Sequence, residues 1–124
     1  MATVTLEQLS PEIQLLRVIG RWEYADIIET IKKYGPEIRH HLIWDFAKAA
    51  VVDLNVGQLQ GLMPIIKAHS SIRQAGSKTA SVASREFAYA LMDMYASFAK
   101  QSGLSYQYKA FDTMEEVLEW IQSK

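Results

Sequence analysis

Residues 41–46 have the sequence His-Leu-Ile-Trp-Asp-Phe, a short run of large and mostly apolar side chains. A run of this length and composition predicts a buried β-strand. Residues 79–83 (Thr-Ala-Ser-Val-Ala) predict a second strand, and the segment between the two runs has helical periodicity. A strand, a helix and a strand in this order predict a parallel pair of strands whose connecting helix packs on the sheet.

Upstream of this unit, residues 3–6 and 13–19 predict two short strands that pair as a hairpin. From residue 22 to residue 34 the apolar side chains recur at three- and four-residue steps, which predicts an amphipathic helix. Gly35 and Pro36 follow this helix. We expect Gly35 to adopt a left-handed cap and Pro36 to prevent the helix from continuing.

Downstream, residues 56–72 predict a helix that contains Pro64. A proline inside a helix removes one backbone hydrogen bond, so we expect a kink there or a new helix that begins at Pro64. Residues 85–100 predict the next helix and residues 104–111 the last strand. Asp112 and Glu115 have the spacing of a capping box, which predicts the start of a C-terminal helix.

The predicted order of elements is β-β-α-β-α-β-α-β-α. This order predicts a single α/β domain over residues 1–124, with a mostly parallel mixed sheet and helices packed on it. The hairpin adds an antiparallel strand at one edge.

Composition excludes several classes of protein. The chain has 124 residues, of which 49% are hydrophobic and 22% charged, values typical of one globular domain. Without cysteine it has no disulfide, no thiolate metal site and no cysteine nucleophile. The net charge of −1, without a basic run, does not indicate nucleic-acid binding. Residues 1–10 lack the pattern of a secretory signal, and no apolar run is long enough to span a membrane. We therefore expect a cytoplasmic protein.

Two stretches resemble a known family. Residues 42–46 followed by residues 52–57 are similar to a strand and helix start of the STAS domains, the anti-sigma-factor antagonists. Residues 79–84, 89–95, 111–112 and 116–121 resemble the C-terminal part of their SpoIIAA-like relatives. The resemblance implies a STAS/SpoIIAA-like domain with a binding or regulatory role.

The resemblance also contains one departure. The family places a phosphorylated serine shortly after its second aspartate, which matches Asp53 here, and this chain has Asn55 at that position. An amide cannot accept a phosphoryl group, so the usual phospho-switch is not expected. For the SpoIIAA-like relatives, the resemblance implies small-molecule or lipid binding and membrane association as further roles.

The carboxyl ends of the parallel strands carry the polar candidates for a binding site, because ligands of open parallel sheets bind there. Asp45 and Asp53 flank one loop, with Asn55 close by. A carboxylate pair there would bind a cation or transfer protons, but the absence of a third ligand favours structural roles as a loop tie and a helix cap. Ser84 and Arg85 open a predicted helix and would bind an anion, although the absence of a glycine-rich loop favours an ordinary cap.

The predicted helix 85–100 is apolar almost all round, which indicates burial on two sides. One side packs on the sheet. The other faces a neighbouring helix, a second copy of the chain or an apolar ligand. An apolar cavity between this helix and helix 56–72 would be lined by Leu59, Leu62, Met63 and Ile66 on one side and by Tyr89 and Met92 on the other.

The remaining candidates are the three histidines, His40, His41 and His69. Successive residues of a strand face opposite sides, so His40 and His41 are poorly placed to chelate a metal. We expect them to be surface or strand-end residues, and we expect neither a metal nor a cofactor.

The sequence thus predicts a non-enzymatic binding or regulatory module whose partner is a protein or a second copy in a homodimer. The alternative is a carrier of a small apolar or amphiphilic ligand that associates with membranes only peripherally.

Overall fold

The computed structural model describes residues 2–51, 56–70, 72–83, 97 and 106–123. The following elements occur in chain order: β1 (Ala2–Ser10), β2 (Ile13–Trp22), α1 (Tyr24–Tyr34), one 3₁₀ turn (Gly35–Glu37), β3 (His41–Val51), α2 (Val56–Ser70), β4 (Lys78–Val82), β5 (Gln107–Phe111) and α3 (Met114–Gln122). The predicted helix 85–100 lies outside the described residues except for Ser97, which is helical.

The strands form one five-stranded sheet in the order β1-β2-β3-β4-β5. The hairpin of β1 and β2 is antiparallel, and every other neighbouring pair is parallel. This arrangement confirms the predicted mixed sheet and the parallel pairing of the third and fourth strands. Between β2 and β3 the register shifts once, between the pairs Arg17–Asp45 and Ile19–Lys48.

Helices α1 and α2 pack on one face of the sheet. Their side chains Ile31, Leu62 and Met63 form an apolar cluster with Val18 of β2 and Phe46 of β3. Consecutive residues of a strand point to opposite faces, so Val18 and Phe46 face these helices while their neighbours Arg17 and Asp45 face away from them.

Helix α3 packs on the other face, over β4 and β5. Val117 and Ile121 of this helix are buried against Ile43, Ala80 and Phe111. The described part of the domain therefore has three layers, with the sheet between α1 and α2 on one side and α3 on the other.

Several predicted boundaries are wrong. The first strand extends from Ala2 to Ser10, and Trp22 ends β2 instead of opening α1. The buried Trp22 ring packs against Trp44 and Phe46, with centroids 6.0 and 5.7 Å away. Trp22 is therefore apolar because it packs at the end of a strand under the helix, and not because it belongs to the helix.

Helix boundaries also differ from the predictions. Helix α2 is continuous through Pro64, so the expected new helix at Pro64 does not occur, while the kink stays a prediction. Thr113, and not Asp112, caps α3, because its Oγ1 accepts a hydrogen bond from the Glu116 backbone N–H at 3.3 Å. The Thr113 hydroxyl also donates to the Glu116 carboxylate at 3.0 Å.

Gly35 does not form the predicted left-handed cap. Its φ is −50°, and the chain continues into the 3₁₀ turn before it leaves the helix. Glycine is needed here for space, because a Cβ on Gly35 would lie 2.9 Å from Cγ and 3.3 Å from Cβ of His69. The close approach of these two residues sets the distance between the end of α1 and the end of α2.

Replacing Gly35 with alanine should lower the free energy of unfolding by about 1–3 kcal/mol, because the new methyl group overlaps the His69 ring. In a His69→Ala background, the Gly35→Ala substitution should cost much less, because the ring that it overlaps is absent. Urea denaturation of the four proteins forms a double-mutant cycle. Additive effects of the two substitutions would show that the contact does not limit residue 35.

Candidate functional site

Asp45 is the one polar candidate of the predicted strand ends that the structure describes. Its predicted place is wrong, because β3 continues past it to Val51 and Asp45 therefore lies within the strand. It lies on β3, is only 9% exposed, and points to the same face as Arg17 of β2. Its Oδ1 accepts a hydrogen bond from the Ala47 backbone N–H at 3.0 Å, and its Oδ2 lies 3.5 Å from an Arg17 guanidinium nitrogen. The carboxylate thus secures the backbone where the β2–β3 register shifts.

Arg17 links two carboxylates across three strands. Its Nε donates to Glu7 of β1 at 2.8 Å, and another guanidinium nitrogen lies near Asp45 of β3. The hydrogen bond and charge of Glu7, with a smaller contribution from Asp45, raise the pKa of Arg17 above its ordinary value. The group is therefore a permanent cation between two anions, and the arrangement supports a structural role for Asp45.

The apolar candidates Leu62, Met63 and Ile66 lie on α2, on the opposite face of the sheet from Asp45. Leu62 is 2% and Met63 8% exposed within the core, and Ile66 is partly buried against it. The described candidates therefore do not form one site.

Six further candidates lie outside the described residues: Asp53, Asn55, Ser84, Arg85, Tyr89 and Met92. Their roles stay predictions.

The amino ends of the parallel strands hold an ordered polar cluster that the sequence analysis did not single out. The rings of His40 and His41 stack with centroids 3.8 Å apart, because His40 precedes β3 and is not bound by strand alternation. Arg73 donates from Nε to the His40 carbonyl at 2.8 Å and from a terminal nitrogen to Thr79 Oγ1 at 2.9 Å. His69 lies elsewhere, against Gly35.

Lys78 is the least expected member of this cluster, since lysine is rarely buried. It is 9% exposed, and its ammonium donates to the Trp120 and Ser123 carbonyls at 2.8 and 2.7 Å and to Ser123 Oγ at 3.1 Å. These acceptors lie at the C-terminal end of α3, where the helix dipole favours a cation. A lysine before an apolar strand has no sequence signature that would indicate this role.

His41 has a restricted protonation state. Its Nδ1 accepts a hydrogen bond from the Lys78 backbone N–H at 3.0 Å, which requires that this nitrogen carry no proton. Burial lowers the pKa of His41 below its ordinary 6.5, and the neighbouring charges of His40, Lys78 and Arg73 lower it further, against an opposing effect of Glu12.

A polar cleft of about 340 Å³ opens at the same end of the sheet. It is lined by Gln8, Pro11, Glu12, Gln14, Glu37, Arg39, His40 and Gln74. The Gln14 side-chain amide connects β2 to the segment before β3. It donates to the Glu37 carbonyl at 3.1 Å and accepts from the Arg39 backbone N–H at 3.3 Å. The cleft lies at the opposite end of the strands from the one where the sequence predicted a ligand.

The described ranges contain neither a metal-binding cluster nor a membrane-spanning helix. No three His, Asp or Glu side chains there lie close enough together to bind a metal ion. No helix among the same residues combines the length and the apolar character required to span a bilayer.

The known proteins that match this chain do so in their three-dimensional structures. No protein-family model and no curated protein matches the sequence. An uncharacterised DUF3478-family protein from Shewanella loihica PV-4, described as SpoIIAA-like in fold, matches with a TM-score of 0.58. That match has 13% identity over 97% of this chain and 93% of the other. The unphosphorylated anti-sigma factor antagonist SpoIIAA matches with a TM-score of 0.55 and 17% identity, over 98% and 100% of the two chains.

This chain has a SpoIIAA-like fold. The match confirms the fold that the sequence resemblance implied. Because the sequence identities are only 13% and 17%, the similarity concerns the fold and not the individual side chains.

Replacing Asp45 with asparagine should change the free energy of unfolding by less than about 1 kcal/mol. The amide oxygen still accepts the Ala47 N–H, and Arg17 keeps its shorter hydrogen bond to Glu7, so the neutral amide leaves no charge without a partner. Asp45→Ala should cost roughly 1–2 kcal/mol, because the acceptor is lost. Chemical denaturation of both variants checks this difference, and equal losses would instead assign the main role of Asp45 to its charge.

The lowered pKa of His41 makes stability depend on pH. The unfolded chain binds this proton more readily than the folded chain, so the contribution is fully present above pH 6.5 and decreases as pH falls below it. A His41→Asn variant keeps an oxygen acceptor near the position of Nδ1 and does not titrate. Urea denaturation between pH 5.0 and 8.0 should therefore show a smaller acid loss for this variant than for the wild type.

Proposed function

We propose that this chain is a non-enzymatic binding or regulatory module whose partner is a protein. The observation that carries the proposal is the SpoIIAA-like fold, shared over 98% of the chain with a protein that is an anti-sigma factor antagonist. By its description that protein acts on an anti-sigma factor, which is itself a protein, and this supports a protein partner for the present chain. The partner is either a different protein or a second copy of the chain.

The engagement of Asp45 supports this proposal against an enzymatic role. A general acid or base must have its carboxylate available to the substrate. Here one oxygen binds the Ala47 N–H and the other faces Arg17, which is itself bound to Glu7. Asp45 therefore stabilises the sheet and has no catalytic role in the proposed function.

The packing of α2 bears on the alternative, a carrier of a small apolar or amphiphilic ligand. Leu62 and Met63 fill the core between α2 and the sheet, in contact with a cluster that includes Val18 and Trp22. Among the predicted cavity residues of α2 whose side chains the structure describes, only Ile66 is partly exposed and accessible to a ligand. The described part of α2 therefore favours the protein-binding module, and the carrier is the second outcome of the test.

Native mass spectrometry of the purified chain, followed by organic extraction, separates the two functions. The expected result is the mass of the bare chain, as a monomer or a homodimer, without a bound small molecule in stoichiometric amount. A defined amphiphile released in a 1:1 ratio would contradict the proposal and establish the carrier. In that case Ile66→Gln should reduce its uptake, while the matched change of exposed Ile19 to glutamine on β2 should not.

The proposal also predicts that a protein partner can be isolated. Cross-linking in the cells of origin should capture one protein that rebinds the purified chain in isothermal titration calorimetry with a defined stoichiometry. If the chain is homodimeric and no second protein rebinds it, the partner is the chain itself.

A further inference from the structure

Lys78 connects the start of β4 to the end of α3. Its ammonium has three protons, and three acceptors receive them: the carbonyls of Trp120 and Ser123 and the Ser123 hydroxyl. The ammonium also lies 5.2 Å from the centre of the Trp120 ring. Directional bonds to the last turn therefore supplement the apolar packing of α3.

The backbone of the same residue depends on His41. The Lys78 N–H donates to His41 Nδ1 at 3.0 Å, so the first residue of β4 is bound through its backbone to β3 and through its side chain to α3. A proton on Nδ1 would place one N–H against another and would remove this bond. Protonation of His41 therefore acts on the residue that holds the helix.

The surroundings of His41 oppose its protonation. Among the described residues, the groups that face it are the stacked ring of His40, the ammonium of Lys78, the guanidinium of Arg73 and the carboxylate of Glu12, whose charge has the opposite effect. A positive imidazolium would add to two cations that are already in place. At neutral pH the ring is neutral and its Nδ1 is available as an acceptor.

We propose that His41 and Lys78 form a proton-sensitive latch, which holds α3 on the sheet at neutral pH and loosens it when His41 is protonated. The sheet face under α3 consists of apolar side chains, among them Ile43, Ala80, Val82 and Phe111. Loosening of the helix would expose this face under mild acid. The latch is independent of which partner the domain binds.

Hydrogen exchange measured by mass spectrometry tests the latch. Protection of the α3 amides, corrected for the intrinsic exchange rate and divided by that of α1, is compared at pH 7.5 and pH 5.0. Helix α1 lies on the other face of the sheet and serves as the internal reference for global unfolding. In the wild type this ratio should fall roughly tenfold at pH 5.0, the effect of losing about one buried hydrogen bond.

Two variants separate the parts of the latch. His41→Asn, which keeps an acceptor near Nδ1 and cannot be protonated, should show the same ratio at both pH values. Lys78→Met should show a low ratio at both, because the bonds to the last turn are absent. An unchanged ratio in the wild type would overturn the proposal by itself, even if a variant failed to fold. An equal fall in wild type and His41→Asn would also overturn it.

Discussion

The burial of β3 on both faces is the constraint on which the rest of the structure depends. This strand lies in the middle of the sheet, and Leu42, Ile43 and Phe46 are each at most 5% exposed although they point to opposite sides. Both faces of a parallel sheet must be covered, so α1 and α2 are needed on one side and α3 on the other. The same burial explains why Asp45, a buried charged residue of the strand, lies next to an arginine.

The strands and helices were largely predictable, because their apolar residues recur at the periods of two and 3.6 that strands and helices impose. The errors fall where tertiary contacts decide. Trp22 directly precedes a helical run and is therefore predicted within the helix, but it packs under α1 from the end of β2. Gly35 is a glycine because the His69 ring lies against it, and a contact across 34 residues leaves no local pattern.

The site was predictable only in part, for a related reason. The prediction that Leu62 and Met63 share a helix face holds, but the prediction that Asp45 lies at the end of its strand is wrong, because β3 continues to Val51 and Phe46 beyond it is buried. The alternation of β3 then separates them, since Asp45 points away from the face on which its neighbours Trp44 and Phe46 meet α2. Placing them in one site required the three-dimensional path of the chain, which spacing along the sequence does not contain.

The position of α3 shows what the polar contacts add to the apolar ones. Burial of Val117 and Ile121 favours contact with the sheet but has no direction, so it does not define where along the strands the helix lies. Lys78 supplies the direction, because its three hydrogen bonds are satisfied only when the last turn of α3 lies over the start of β4. The helix is thus stabilised by apolar area and positioned by one ammonium group. A change of charge near Lys78 therefore affects the position of α3 on the sheet more than the burial of its apolar side chains.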